Sequence, residues 1–151
     1  MKTGEKSAGI TGSNGSVFTD YRVRVRYAET DQMGVAHHAN YFVWFEVGRS
    51  EFCRQRGFSY QEMERDTERF LVVAEAHCRF LTPLYYDREV TVRTFLKELR
   101  RRAVSFSYQL LDTESGAVCA TGETLHVVVD SRGKPKSFPG RFRNLLGSVH
   151  C

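Results

Sequence analysis

The chain has 151 residues, of which 41% are hydrophobic, 13% aromatic and 26% charged, so it is long enough for one globular domain and is neither disordered nor collagen-like. No apolar run reaches the roughly 18 residues of a membrane-spanning helix, and the N-terminus lacks the apolar stretch of a secretory signal, so we expect a cytoplasmic protein. The net charge of +4 permits phosphate-bearing ligands or nucleic acid as partners without selecting either.

The first half of the chain predicts a strand followed by a long helix. Residues 1–16 are rich in Gly and Ser and predict a flexible N-terminal tail. From Val17 to Tyr27 apolar residues alternate with arginines, which indicates a half-buried strand. A polar loop follows, and aromatic residues then recur at helical spacing up to Gly57. This helix carries so many aromatics that other elements should wrap around it.

The second half of the chain is predicted to be almost entirely β-strand. Ser59 and Glu62 match a capping box and predict a short helix through Glu68. Alternating apolar residues and turn-forming segments then predict four strands and hairpins at residues 100–102 and 112–116, with the strands at residues 70–81, 89–99, 103–111 and 117–129. A short helix near residues 139–146 ends a domain of residues 17–147, and residues 148–151 form a C-terminal tail. Strands segregated from helices indicate the α+β class with antiparallel pairing.

The segment between the first strand and the long helix holds the densest group of chemically useful side chains. Unpaired N–H groups and the positive dipole end of a helix can stabilise an oxyanion, so the backbone from His38 to Tyr41 is a candidate oxyanion hole. Asp31, just upstream, could attack an acyl carbon or deprotonate a water molecule. Gly34 allows the loop between them to fold back.

The run from Tyr27 to Tyr41, YAETDQMGVAHHANY, with Trp44-Phe45-Glu46 and Arg49 after it, resembles the signature of the 4-hydroxybenzoyl-CoA thioesterase family of hot-dog proteins. The similarity in strand order covers roughly residues 18–146. The resemblance implies a five-stranded antiparallel sheet wrapped around one long helix that is apolar nearly all round.

The resemblance also implies roles for individual residues. Asp31 matches the catalytic aspartate, as nucleophile or as general base, and His38 matches the position whose backbone N–H polarises the thioester carbonyl. Tyr27 matches a tyrosine of the acyl-CoA branch. The substrate-binding positions implied are Gly34, Asn40, Tyr41 and the basic turn Arg100, Arg101 and Arg102, which would bind the phosphates of coenzyme A.

Some of these residues have simpler interpretations. Asn40 and Tyr41 are expected to cap and anchor the helix rather than react, because Asn is a favoured N-cap. His37 is interpreted as a packing or surface residue and Glu46 as a solvated acid. The basic turn at residues 100–102 would ordinarily be a solvated hairpin.

The sequence predicts neither a metal site nor a cofactor. The histidines and acids lack the spacing of first-row metal ligands, and neither a serine-hydrolase elbow nor a phosphate-binding glycine loop is present. The scattered cysteines at positions 53, 78, 119 and 151 are expected to be reduced thiols.

We therefore expect an acyl-CoA thioesterase that forms a homodimer or homotetramer and binds neither nucleic acid nor membrane. One alternative is a thioesterase whose substrate is carried by acyl carrier protein, for which a basic surface would suit an acidic partner. Another is a non-catalytic hot-dog module that binds acyl-CoA. The sequence does not identify the acyl group.

Overall fold

The computed structural model describes residues 10–11 and 17–147. The strands are β1 (Ile10–Thr11), β2 (Val17–Arg24), β3 (Phe70–Phe80), β4 (Glu89–Leu99), β5 (Ala103–Asp112) and β6 (Val118–Val129). The α-helices are α1 (Ala39–Gln55), α2 (Tyr60–Thr67) and α3 (Gly140–Gly147), and a 3-10 turn covers Tyr27–Glu29.

All strands within the described residues belong to one antiparallel sheet with the order β1-β2-β4-β5-β6-β3. The predicted α+β class and five-stranded sheet are confirmed, and the two-residue strand β1 adds a short outer edge beside β2. β1 falls within the predicted N-terminal tail. The rest of that tail, and residues 148–151, lie outside the described residues.

Most element boundaries agree with the sequence pattern within one residue. Both predicted hairpins are present, joining β4 to β5 and β5 to β6. The first strand was predicted to end at Tyr27, but it ends at Arg24, and Tyr27 begins the 3-10 turn. Residues 81–88 form a crossover rather than a hairpin, because β3 lies at the far edge of the sheet and β4 lies beside β2.

α1 packs against the sheet at two points where a glycine on one surface faces a side chain of the other. A Cβ at Gly48 would overlap the Thr94 hydroxyl and lie 2.6 Å from Val92 Cγ1. A Cβ at Gly122 would overlap the Phe45 ring, which stacks on Tyr108 with ring centroids 4.4 Å apart. Two glycines, one on each surface, therefore allow the helix to approach the sheet this closely.

The surface of α1 is less uniformly apolar than predicted. Trp44, Phe45 and Phe52 are buried as expected, but the helix also buries Arg49 and Glu51. The predicted capping box of α2 is half formed, since Ser59 Oγ accepts the Glu62 N–H at 3.1 Å. The Glu62 carboxylate instead pairs with Arg141 of α3.

None of the helices in residues 17–147 combines the length and apolar character needed to cross a bilayer.

Substituting Gly122→Ala should lower the free energy of unfolding by about 2 kcal/mol, because the added methyl group must displace the Phe45 ring from its stack. Urea denaturation measures the change. Gly140→Ala is the matched control, since a Cβ added there would meet no atom within 4 Å, and it should leave the unfolding midpoint unchanged or raise it. Equal stability of the two variants would contradict the proposed close contact.

Candidate active site

The loop after the 3-10 turn is folded around the Asp31 side chain. Asp31 Oδ1 accepts hydrogen bonds from the backbone N–H groups of Met33 (2.8 Å) and Val35 (3.3 Å). Gly34 has φ +78°, a left-handed conformation that favours glycine. Asp31 is exposed, and its Oδ2 has no partner among the described residues, so one carboxylate oxygen is available to a ligand.

The same loop occurs a second time in the chain, at Asp130. Asp130 Oδ1 accepts the N–H groups of Arg132 (2.9 Å) and Lys134 (3.0 Å), and Gly133 has φ +80°. These backbone hydrogen bonds hold the pKa of Asp130 below its usual value. An Asp-x-x-Gly loop is therefore a turn that this chain forms from local hydrogen bonds, and it does not by itself indicate an active site. What distinguishes Asp31 is the helix N-terminus that follows it.

At the start of α1 a single backbone donor is left over. His37 Nδ1 accepts the Ala39 N–H at 3.2 Å, and the His37 carbonyl accepts the Asn40 N–H at 3.0 Å. The Tyr41 N–H is bonded to the His38 carbonyl at 3.2 Å. The His38 N–H has no acceptor among the described residues, which makes it the free donor at this helix end.

The two adjacent histidines share the exposed surface beside that donor. Their rings stack with centroids 4.2 Å apart. His37 was interpreted as a packing or surface residue, and it is exposed, but its ring also caps the helix by accepting the Ala39 N–H. A side chain that accepts at Nδ1 carries its proton at Nε2 when it is neutral.

Asn40 was predicted to be the N-cap, and this is wrong, because the N-cap is His38 and Asn40 lies inside the first turn. Its side-chain amide instead donates to the carbonyl of Glu29 at 2.8 Å and to that of His37 at 3.2 Å. Asn40 thus ties the 3-10 turn before the Asp31 loop to the start of the helix. It is a positioning residue.

The two tyrosines of the predicted site differ in environment. Tyr27 is 78% exposed and meets the edge of the Tyr86 ring, with ring centroids 5.7 Å apart. Tyr41 is buried, and its ring contacts the Phe80 ring with centroids 4.8 Å apart. Burial raises the pKa of Tyr41, which therefore stays protonated and anchors the helix, as predicted.

The segment that closes this region from the other side was not predicted from the sequence. Tyr86 N–H donates to the Gly34 carbonyl at 3.2 Å, and Ala36 N–H donates to the Leu84 carbonyl at 2.7 Å. The only sequence signal was the aromatic pair Tyr85-Tyr86 shortly after Pro83, in a segment assigned to no element. Its contact with Gly34 depends on the crossover from β3 to β4.

The basic turn lies at the opposite end of the sheet from Asp31. Arg24, at the end of β2 that leads to the Asp31 loop, pairs with Glu89 at the start of β4, whereas Arg100 follows the end of β4. Eleven residues at about 3.3 Å each separate these ends by roughly 35 Å. Within one chain, the basic turn is therefore too far from Asp31 for side chains at both places to contact the same part of a ligand.

In the part of the chain that the structure describes, no group of three or more His, Cys, Asp or Glu side chains is arranged to hold a metal ion. Cys53, Cys78 and Cys119 are free, as predicted, and Cys151 lies outside the described residues. Burial raises the pKa of Cys53 to about 12, so this thiol is not poised as a nucleophile.

Substituting Asn40→Ala should lower the free energy of unfolding by about 1 to 2 kcal/mol, because two carbonyl groups lose a donor. Chemical denaturation measures the change. Asn144→Ala on the exposed side of α3 is the control and should be neutral, since no hydrogen bond is assigned to its side chain. Equal effects of the two substitutions would contradict the positioning role of Asn40.

Residues 25–146 match the family model described as "Thioesterase-like superfamily". A "Putative esterase" of Aquifex aeolicus is 43% identical over 126 residues, covering 83% of this chain and 95% of that protein. The "Putative acyl-CoA thioesterase YneP" of Bacillus subtilis is 34% identical over 121 residues, covering 80% and 86%. Among solved structures, a DHNA-CoA thioesterase from Staphylococcus aureus has a TM-score of 0.82 at 28% identity, covering 87% of this chain and 90% of that one. These matches confirm the predicted resemblance, and the chain belongs to the thioesterase-like superfamily of hot-dog proteins.

Proposed function

We propose that this protein hydrolyses acyl-CoA thioesters to a free acid and coenzyme A. One observation carries the proposal: the free Oδ2 of Asp31 and the free N–H of His38 belong to one connected unit at the start of α1. A thioester hydrolase needs a carboxylate for the attack and a donor for the oxyanion. Acyl-CoA as the substrate class is supported by the name of the Bacillus subtilis relative.

The proposed reaction begins when the thioester carbonyl oxygen accepts the His38 N–H, with the helix dipole favouring the developing negative charge. Asp31 then acts in one of two ways. It attacks the acyl carbon to form a mixed anhydride and expel the coenzyme A thiolate, and water later hydrolyses the anhydride. Alternatively, it takes a proton from a water molecule that attacks the same carbon, and the bond to sulfur breaks to release the coenzyme A thiolate and the free acid. No metal or cofactor takes part in either route.

We also propose that two copies pair through β3. This edge strand is 11 residues long and is exposed over most of its length. Val72 and Val73 are about half exposed, at 45% and 50%, and so are Phe80 and Leu81 at its far end. A long apolar edge with unpaired backbone groups readily pairs with another strand. A two-fold axis would pair β3 with its copy in the antiparallel sense.

Such a pairing would bring the basic turn into range of a second active site. Ala103 pairs with Val127 and Phe70 with Val129, so residues 100–102 lie at the Phe70 end of the sheet. The start of α1 lies at the Phe80 end, where Phe80 contacts Tyr41. Antiparallel pairing of β3 places the Phe70 end of one copy beside the Phe80 end of the other. The basic turn of one copy would then bind the phosphates of coenzyme A held by the other.

Acyl carrier protein remains the alternative source of the thioester, because the same exposed arginines would attract an acidic protein. A location in the cytoplasm stays a prediction.

Substituting Asp31→Asn should reduce kcat for acyl-CoA hydrolysis by about 10² to 10⁴ fold, since an amide neither attacks nor takes a proton. The amide oxygen can still accept the N–H groups of Met33 and Val35, so folding and acyl-CoA binding should persist. Coenzyme A release with short, medium, long and aromatic acyl groups measures the loss. A single turnover in ¹⁸O-labelled water separates the two routes, because only a nucleophilic Asp31 transfers its own oxygen to the product.

Asp130→Asn provides the matched control, because it makes the same change in a loop of the same geometry. It should leave kcat unchanged. An Asp31→Asn variant as active as wild type would eliminate the catalytic role. A wild-type protein that binds acyl-CoA without releasing coenzyme A would favour an acyl-carrier substrate or a binding function.

Substituting Val73→Lys should weaken self-association, because it places a charge in the proposed β3 contact, opposite the same strand of the second copy. Analytical ultracentrifugation of wild type should detect a dimer or a tetramer, and the variant should dissociate at higher concentration. Val43→Lys on α1 changes a valine of equal exposure, 51% against 50%, and should preserve the dimer. A wild-type monomer at all accessible concentrations would rule out the pairing.

A further inference from the structure

A polar cavity of about 240 Å³ lies beside the third turn of α1, away from the Asp31 loop. α1, α2, β3 and β6 together form its wall, which consists of Glu46, Arg49, Ser50, Tyr60, Glu64, Leu71 and His126. Residues 46–50 lie 7 to 11 positions after Ala39, or roughly 10 to 17 Å along the helix from its N-terminus. That distance suits the far end of an acyl group whose thioester carbonyl is at the helix start.

The cavity holds a buried cation with little anionic compensation. The Arg49 side chain is 10% exposed, and the ion pair assigned to it joins its Nη2 to Glu46 Oε2 at 4.0 Å. The Glu46 side chain is itself 68% exposed. The Arg49 guanidinium also lies close enough to the Tyr108 hydroxyl to oppose the rise in pKa that burial causes there. A guanidinium has five N–H donors, so these contacts leave donors for a further acceptor.

A chain of hydrogen bonds joins Tyr108 to His126. Tyr108 Oη lies 2.6 Å from Thr124 Oγ1, which lies 2.8 Å from His126 Nε2. Burial, and secondarily Arg49, lower the pKa of His126 to about 3, so the ring is neutral at physiological pH.

Tyr60 adds a hydroxyl group that has no strong hydrogen-bond partner. Its hydroxyl is buried and has no hydroxyl, amide or charged hydrogen-bonding partner among the described residues, although the weakly polar Cys53 thiol lies beside it. A buried hydroxyl in this state costs free energy unless a ligand or water completes it.

The charged side chains that line the cavity determine which kind of ligand oxygen it favours. Glu46 and Glu64 both line the cavity with Arg49, so the three ionisable side chains sum to one negative charge while His126 is neutral. A ligand carboxylate would face two like charges. An uncharged oxygen, as in a hydroxyl or carbonyl group, would accept from the buried donors without that repulsion.

The side of α1 that carries Glu46 and Arg49 begins with two apolar residues. Ala39, Phe42, Glu46 and Arg49 follow one another at spacings of three or four residues and so lie along one side of the helix. A ligand that lies along this side of the helix therefore meets Ala39 and Phe42 before it reaches the polar cavity.

We propose that the cavity lined by Arg49, Tyr60 and His126 binds the distal end of the acyl group and selects acyl chains that end in an uncharged oxygen. This inference rests on the proposed thioesterase function and specifies its substrate class: apolar acyl groups of medium length with a terminal hydroxyl or carbonyl.

The test compares matched medium-length acyl-CoA substrates that end in a methyl, a hydroxyl or a carboxylate group. At the best chain length, the hydroxyl-ended substrate should have a kcat/KM about 3 to 10 fold above that of the methyl-ended one, the range of one or two neutral hydrogen bonds. The carboxylate-ended substrate should be poorer than the hydroxyl-ended one. Equal kcat/KM for methyl and hydroxyl ends at every length would overturn the inference.

Tyr60→Phe removes a single buried hydroxyl and should reduce the preference for the hydroxyl end towards unity, with no loss of stability. The control Tyr21→Phe removes a hydroxyl from β2 and should keep the wild-type preference. Arg49→Gln should abolish the preference more completely, and Tyr60→Phe remains decisive if the Arg49 variant fails to fold. An unchanged preference in Tyr60→Phe would contradict the role of Tyr60.

A second readout distinguishes failure of the proposed thioesterase function from failure of the cavity assignment. If no acyl-CoA is hydrolysed, calorimetry with non-hydrolysable thioether analogues still compares hydroxyl and methyl ends. Tighter binding of the hydroxyl-ended analogue, lost in Tyr60→Phe, would support the cavity assignment in a binding protein. Equal affinities would overturn it.

Discussion

The close approach of α1 to the sheet is the constraint on which the rest of the structure depends. Gly48 on the helix and Gly122 on β6 each face a side chain of the other surface at a distance that leaves no room for a Cβ. The Phe45 ring fills the space over Gly122 and stacks on Tyr108. The depth of the helix is thereby fixed by contacts in its middle. Because a helix is stiff over this length, its N-terminus is fixed as well, beside Phe80.

Two loops in the chain have the same geometry, and comparing them shows which feature distinguishes the candidate active site. Asp31 and Asp130 each accept N–H groups two and four residues ahead, with a glycine at the third following position. In both cases the aspartate is explained locally as a turn residue. The segment after Asp130 leads to α3 only beyond Pro139, whereas the 3-10 turn just before the Asp31 loop is bonded to the start of α1 through Asn40. The chemistry depends on that junction rather than on the turn.

Features set by local sequence could be predicted, and those set by distant contacts could not. Strand and helix boundaries follow from alternation and turn residues, and the free N–H at His38 coincides with the position chosen from the motif. The departure of Tyr27 from the strand depends on hydrogen bonds between Val25 and the crossover that precedes β4. Asn40 looked like a cap because its type favours caps, but its partner is the Glu29 carbonyl, eleven residues earlier. The separation of residues 100–102 from Asp31 depends on strand order, which no single segment encodes.

Polar contacts at the two ends of α1 fix what the glycines leave free. Close packing at Gly48 and Gly122 sets the distance between helix and sheet, but aromatic contacts alone tolerate some rotation about the helix axis. Two hydrogen bonds with defined directions limit that rotation: at the helix start the Asn40 amide donates to the Glu29 carbonyl at 2.8 Å, and at the C-cap Arg56 Nη1 donates to Thr19 Oγ1 of β2 at 2.8 Å. These contacts contribute orientation, because rotation of α1 determines the direction of the His38 N–H. That direction decides whether the His38 N–H and Asp31 can reach one carbonyl group together.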